Sequence, residues 1–196
     1  MPERINNRFR LKKYLAGYAL KQGDFTLNSG EETDIYFDKY KVFSHGDVLH
    51  QVMVQLSNLL ISNDDADVTG LVAPAMGGAM FASALQMYLF SEYGMNVHLG
   101  IVRPELKDHG IQNMIEGFIE SGSNLVIVED VITSGKAVKN TIDALYELRS
   151  QNIWFHIHQI ICLVDRGGEG VRGLREEGYD VSSVFTLEEL ERTPDW

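Results

Sequence analysis

The chain has 196 residues, 44% of them hydrophobic, which is enough to bury one real core and excludes a disordered polymer; we expect a single domain over 1–196. Its net charge is −11, from 17 Lys and Arg against 28 Asp and Glu, and no long basic run interrupts that balance. General nucleic-acid binding is thereby excluded, because neutralising phosphates needs clustered cations. An anionic ligand would have to be attracted locally, by helix N-termini, a few cations and a metal ion. Cys162, the one cysteine, lies in the apolar run 160–164, so there is no disulfide framework, and a small buried hydrophobe in a reducing compartment is expected. The first twenty residues lack a signal-peptide core and no segment has the apolar length to span a bilayer, so a cytoplasmic location without membrane contact is expected.

Residues 5–21 have apolar positions Phe9, Tyr14, Leu15 and Tyr18 at helical spacing and predict an amphipathic helix ending near Gly23. Residues 25–40 predict a hairpin, with Asn28, Ser29 and Gly30 as turn chemistry between Phe25-Thr26-Leu27 and Ile35-Tyr36-Phe37. From there the pattern alternates: helix 48–61, strand 68–73, helix 78–93, strand 97–102, a strand through Val126, Ile127 and Val128, helix 136–150, strand 154–164, strand 180–185 and a helical turn at 187–192. That alternation predicts an α/β fold with a mainly parallel central sheet flanked by helices on both faces.

The densest chemistry is at 125–137, LVIVEDVITSGKA, where a buried strand ends in Glu129 and Asp130, followed by Thr133, Ser134 and Gly135 ahead of a helix. Ligands of open α/β sheets bind at such strand-to-helix turns. Turn amides and the helix N-terminus favour a phosphate monoester. Two carboxylates beside a phosphate are tolerable only if they accept hydrogen bonds from neutral donors such as ribose hydroxyls, or face a metal or a cationic transition state. A ribose 5-phosphate satisfies all of these. Plain helix capping would explain the Ser and Thr but requires no adjacent carboxylates. A Walker-type loop fits poorly, since Ala137 follows Gly135-Lys136 and Asp130 stands at the leading glycine position.

Two further segments interrupt the regular pattern. Residues 103–117, RPELKDHGIQNMIEG, are charged and Gly-containing and longer than a usual connection, which suggests a lid. Residues 73–78, APAMGG, form a compact turn whose glycines would let backbone approach a ligand closely, so a second phosphate group is expected there. The run from Gly168 to Gly173 matches G-x-G-x-x-G, but the chain ends too soon afterwards for a dinucleotide fold. His156 and His158 share a strand face without a third ligand, and Met76, Met80 and Met87 read as packing residues.

VIVEDVITSGKA resembles the phosphoribosyl pyrophosphate (PRPP) signature of type I phosphoribosyltransferases. FTLNSGEETDIYFDKY at 25–40, PAMGG at 74–78, RPELKDHG at 103–110 and LVDRGGEG at 163–170 make the whole chain similar to the orotate branch of that family. The resemblance implies the type I phosphoribosyltransferase fold, with residues 1–45 forming part of a small N-terminal hood that contains the hairpin. It implies transfer of the 5-phosphoribosyl group from PRPP to orotate, yielding orotidine 5′-monophosphate and pyrophosphate in pyrimidine nucleotide synthesis.

Residue by residue, the resemblance implies that Thr133, Ser134, Gly135, Lys136 and Ala137 wrap the 5-phosphate, with Glu129 and Asp130 on the ribose hydroxyls and Met76 and Gly77 lining the PRPP site. Arg166 would face the orotate carboxylate, suitable because a guanidinium offers a planar fork. Tyr36, Phe37 and Thr133 would flank the base, although a plain hairpin core also accounts for the two aromatics. Arg103, Lys107 and His109 would sit on the lid and reach the neighbouring subunit's pyrophosphate in a homodimer. Lys107, His109 and Asp130 are the implied catalytic residues, and Mg²⁺ would be held mainly by substrate oxygens with Glu129 and Asp130 nearby.

The chain departs from well-studied members of the family where they carry lysines, having Asn28, Met76 and Pro104 instead. Lys39 or Lys41 is the candidate substitute. Two alternatives stand beside the orotate reading: a phosphoribosyltransferase for another base, and a PRPP-binding regulator without catalysis.

Overall fold

The structure, a computed structural model, describes residues 8–26, 30, 32–61, 67–104 and 114–193. Helix α1 (Arg8–Tyr14) runs on into one wider π-turn at Leu15–Ala19, then strands β1 (Leu20–Thr26) and β2 (Glu32–Phe37) pair antiparallel. The helix expected to reach residue 21 therefore stops at Ala19, because Leu20 turns extended and takes Phe37 as its partner. Gly23 does not end the helix but lies in a β-bulge, where β1 spends one residue more than β2 between the Gln22 and Phe25 pairings.

The short helix α2 (Tyr40–Phe43) leads into α3 (Gly46–Ile61), and the chain continues through β3 (Gly70–Pro74), α4 (Gly77–Tyr93), β4 (His98–Val102), β5 (Ile115–Gly117), β6 (Ser123–Ile132), α5 (Lys136–Glu147), β7 (Phe155–Asp165), α6 (Glu169–Glu176), β8 (Val181–Thr186) and α7 (Leu187–Glu191). The main sheet has the order β5-β4-β3-β6-β7-β8 and is parallel apart from β5, which runs antiparallel to β4. Residues 115–117, expected within the lid, are thus an edge strand, with Gly117 opposite Gly100.

Alternation along the central strands sorts the core into two layers. Val126 and Val128 of β6, with Ile161 and Leu163 of β7, pack beneath α1, α3 and α4. Leu125 and Ile127, with Ile160 and Cys162, pack beneath α5 and α6, so Cys162 is the fully buried hydrophobe its sequence context suggests. Helix α4 ends at Gly94 in the left-handed region (φ 68°), and its amide bonds back to Leu89 and Phe90. The helix expected over 136–150 tightens into a 3-10 turn at Leu148–Gln151. Met80 is partly buried, but Met76 and Met87 are 66% and 65% exposed, so they are not the packing residues expected. Among the described residues, no helix is long and apolar enough to cross a membrane.

Candidate active site

From β3 the sheet grows one way through β4, and from β6 it grows the other way through β7 and β8. The paired strands β3 and β6 therefore flank the topological switch point, where crevices form beyond the strand ends. The two turns singled out in the sequence, within 73–78 and at 133–135, follow these two strands. Residue-type patterns located both turns; strand order is what brings them side by side.

Strand β6 runs to Ile132, so Glu129 and Asp130 belong to its last residues, two residues short of the turn. They are 6% and 5% exposed. Each carboxylate bonds a nearby amide: Glu129 Oε1 accepts from the Asp130 N–H at 2.9 Å, and Asp130 Oδ1 accepts from the Val131 N–H at 2.8 Å. These bonds fix the rotamers while leaving one oxygen of each acid for other work. The Lys39 ammonium, delivered from the junction of β2 and α2, forms an ion pair with Asp130 Oδ2. Burial, and then the adjacent Asp130 charge, push the Glu129 carboxyl well above the ordinary carboxylate range. Burial lowers the pKa of Lys39, yet the charges of Asp130 and Glu129 outweigh it and hold the ammonium above its ordinary value.

The turn after β3 has a cis peptide bond between Ala75 and Met76. Its glycines are required by the protein itself, a different reason from the ligand approach expected. A side chain at Gly78 would put Cβ 2.7 Å from the Val128 carbonyl oxygen, and one at Gly77 would collide with the Asp130 carboxylate and the Lys39 ammonium. Helix α4 is thereby seated directly on the end of β6.

Beyond β6, Gly135 adopts the left-handed region (φ 74°) as the residue before α5, and no side chain caps the helix there. Ser134 Oγ accepts a long 3.4 Å bond from the Lys136 amide. Thr133 is half-buried, Ser134, Lys136 and Ala137 are exposed, and Gly135 is buried. The arrangement offers helix-terminal amides to an anion beside a buried acidic pair. Gly170, from the G-x-G-x-x-G run set aside in the sequence, packs on this turn: its Cβ would fall 2.9 Å from the Gly135 nitrogen and would also collide with the Thr133 carbonyl.

Arg166 reaches across to the hairpin, donating to the Ile35 carbonyl at 3.2 Å and to Thr33 Oγ1 at 2.9 Å. Both partners are neutral, so this is not a surface ion pair, and Thr33 is a contact the sequence did not flag. Phe37 is buried at 4% exposure in the core below α3 and α4, which removes its ring as a stacking surface. The Tyr36 ring lies 5.3 Å from that of Phe25. Arg103 stands at the root of the expected lid, where its amide donates to the Met114 carbonyl at 2.9 Å and its guanidinium lies 3.6 Å from Glu116. Lys107, His109 and Asn28 lie outside the described residues. Lys41 is exposed on α2, so of the two candidate substitutes only Lys39 meets the acidic pair.

The residues that could face a metal are Glu129 and Asp130, and among the described residues no three His, Cys, Asp or Glu form a metal-holding cluster. Mg²⁺ commonly uses one or two carboxylates together with substrate phosphates, and this pair fits that mode.

Comparison with known proteins accounts for the same geometry. Residues 47–188 match the family model described as phosphoribosyl transferase domain. The orotate phosphoribosyltransferase of Pyrobaculum aerophilum is 32% identical over 88% of this chain and 82% of its own length, and that of Methanopyrus kandleri is 30% identical over 95% and 93%. The crystal structure of orotate phosphoribosyltransferase from Aeropyrum pernix superimposes with a TM-score of 0.73 at 30% identity, covering 92% of this chain and 95% of that one. The chain belongs to the phosphoribosyltransferases and, within them, to the orotate phosphoribosyltransferase family.

Proposed function

We propose that this protein transfers the 5-phosphoribosyl group of PRPP to orotate, forming orotidine 5′-monophosphate and pyrophosphate in pyrimidine synthesis in the cytoplasm. The observation that carries the reading is the buried Glu129–Asp130 pair beside the uncapped start of α5, at the switch point of the sheet. In this reading the amides of Thr133, Ser134, Gly135, Lys136 and Ala137 hold the 5-phosphate. Asp130 and Glu129 accept the ribose hydroxyls through the oxygens left over from their backbone bonds. Met76 and Gly77 line the pyrophosphate side.

Arg166 recognises the orotate carboxylate, exchanging neutral partners on β2 for an anion, which strengthens its hydrogen bonds. Tyr36 and the backbone of Phe37 border the base. The ring nitrogen of orotate bonds to C1 and gives up its proton to the pyrophosphate oxygens as the C1–O bond to pyrophosphate breaks, and positive charge grows on the sugar in the transition state. A carboxylate fixed next to that charge lowers the barrier without reorganising. Mg²⁺ held by substrate oxygens beside the pair would neutralise the departing pyrophosphate. Arg103, Lys107 and His109 belong to the lid that acts on a neighbouring subunit.

A homodimer is part of this reading. Met87 and Phe90, 65% and 57% exposed, continue with Met80 a stripe at helical spacing along α4, an apolar face suited to a second copy. The test of the activity is direct: purified protein with orotate, PRPP and Mg²⁺ should release pyrophosphate. Turnover no higher than the blank would end the reading, and activity on a panel of other bases but not orotate would replace it with a different phosphoribosyltransferase.

A further inference from the structure

We propose that Lys39 is part of the substrate site, as the built-in cation of the pyrophosphate side that also positions Asp130. The inference rests on the phosphoribosyl-transfer reading and deepens it. Three observations carry it. The Lys39 ammonium pairs with Asp130, on the oxygen not bound to the Val131 amide. The same ammonium lies 2.5 Å from where a Cβ on Gly77 would stand, so it fills the gap between the turn after β3 and the end of β6. It is also 27% exposed, and so can reach a ligand entering at the switch point.

A polyanionic substrate entering beside two buried acids meets repulsion unless a cation is already in place, and a side chain held by packing supplies that charge without reorganisation. Met76, the exposed residue beside Gly77, brings no charge to this turn. Lys39 therefore has two tasks. In the free protein it holds the Asp130 carboxylate oriented through their ion pair. When the sugar hydroxyls arrive at Asp130, the ammonium turns its remaining donors to phosphate oxygen, a point-charge contact of the kind lysine makes well.

The experiment compares the wild type with Lys39→Gln, which keeps a neutral donor for Asp130, and with Lys39→Gln/Met76→Lys, which returns a charge to the same gap from the neighbouring turn. Binding of PRPP with Mg²⁺ is measured by calorimetry, and KM and kcat are measured with orotate. Lys39→Gln should weaken PRPP binding and raise its KM by at least about tenfold, with the KM for orotate unchanged. The double variant should recover most of that loss. PRPP affinity unchanged in Lys39→Gln overturns the inference, as does a loss that Met76→Lys leaves unrepaired, since a mere prop of the fold would behave so. If Lys39→Gln does not fold, Lys39→Arg replaces it: near-normal PRPP binding supports a charge role, and loss of binding in a folded Lys39→Arg overturns it. Wild type that binds PRPP but never turns over orotate defeats the activity reading while leaving the binding comparison intact.

Discussion

Substituting Gly170 with Ala tests whether the proposed phosphate turn is positioned by the helix behind it. The added methyl would sit 2.9 Å from the Gly135 nitrogen and collide with the Thr133 carbonyl, both of them backbone atoms of the turn after β6. Restoring ordinary contact at about 3.5 Å with the Thr133 carbonyl, the nearer of the two, moves α6 and the turn apart by more than about 1 Å. Overpacking of this kind costs about 1–3 kcal/mol of stability. Each kcal/mol lowers the melting temperature by about 2–4 °C in a chain of this size. A misplacement of about 1 Å in a positioning element can cost about a hundredfold in rate, so kcat/KM for PRPP should fall by one to two orders of magnitude. Gly173→Ala on the same helix is the control, because its Cβ would meet only the Lys139 ammonium, at 4.0 Å. Steady-state kinetics with thermal melts reads both effects. Gly170→Ala with wild-type kinetics and melting would refute the reasoning.

Three other predictions follow from the same contacts. Glu129→Gln removes a carboxyl whose folded pKa is raised, so the folded wild type holds a proton that the unfolded chain releases, and wild-type stability declines as pH climbs through that interval. The variant should therefore melt higher than wild type at about pH 8 and equal it at about pH 3, below the unfolded carboxylate range, while losing turnover; a stability gain that grows toward acid would contradict the assignment. Thr186→Ala breaks the reciprocal capping box with Glu189 at the start of α7, which should cost about 1 kcal/mol and about 2–4 °C in melting temperature, and an unchanged melt would dismiss the cap. Met87→Asp combined with Phe90→Asp should convert a dimer to a monomer by light scattering; a wild type that is itself monomeric would remove the dimer from the proposal.

Residue order carried much of this fold. The apolar run before Glu129 reads as a buried strand because both faces of β6 are covered, and the spacing after Gly135 reads as a helix because only one face of α5 meets the sheet. The strand at 115–117 leaves no signal in the sequence, since three residues are too few for a period and its pairing with β4 is a long-range event. Lys39 and Arg166 show the same limit at the site. The resemblance marks both as candidates, but only the folding of the hairpin over the sheet takes one to Asp130 and the other to Thr33 and Ile35. Gly170 was visible as one glycine of a familiar motif, but its purpose is a close approach between two loops far apart in the chain. Exposed Met76 and Met87 defeat composition-based reasoning for a related reason: hydrophobicity alone does not say whether the covering surface lies within the same chain.

Helix α4 joins the switch point of the sheet to the exposed apolar stripe. Its first residues, Gly77 and Gly78, rest on Asp130 and the Val128 carbonyl, and its outer face bears Met87 and Phe90. At 17 residues it is a continuous rod about 25 Å long, with no proline to bend it. A push at the Phe90 end is therefore delivered to the Gly77 end as a movement of the whole lever, not absorbed on the way. Whatever covers the apolar stripe thus gains mechanical purchase on the acidic pair, and in the proposed dimer the contact between two copies would bear on the proposed sugar site.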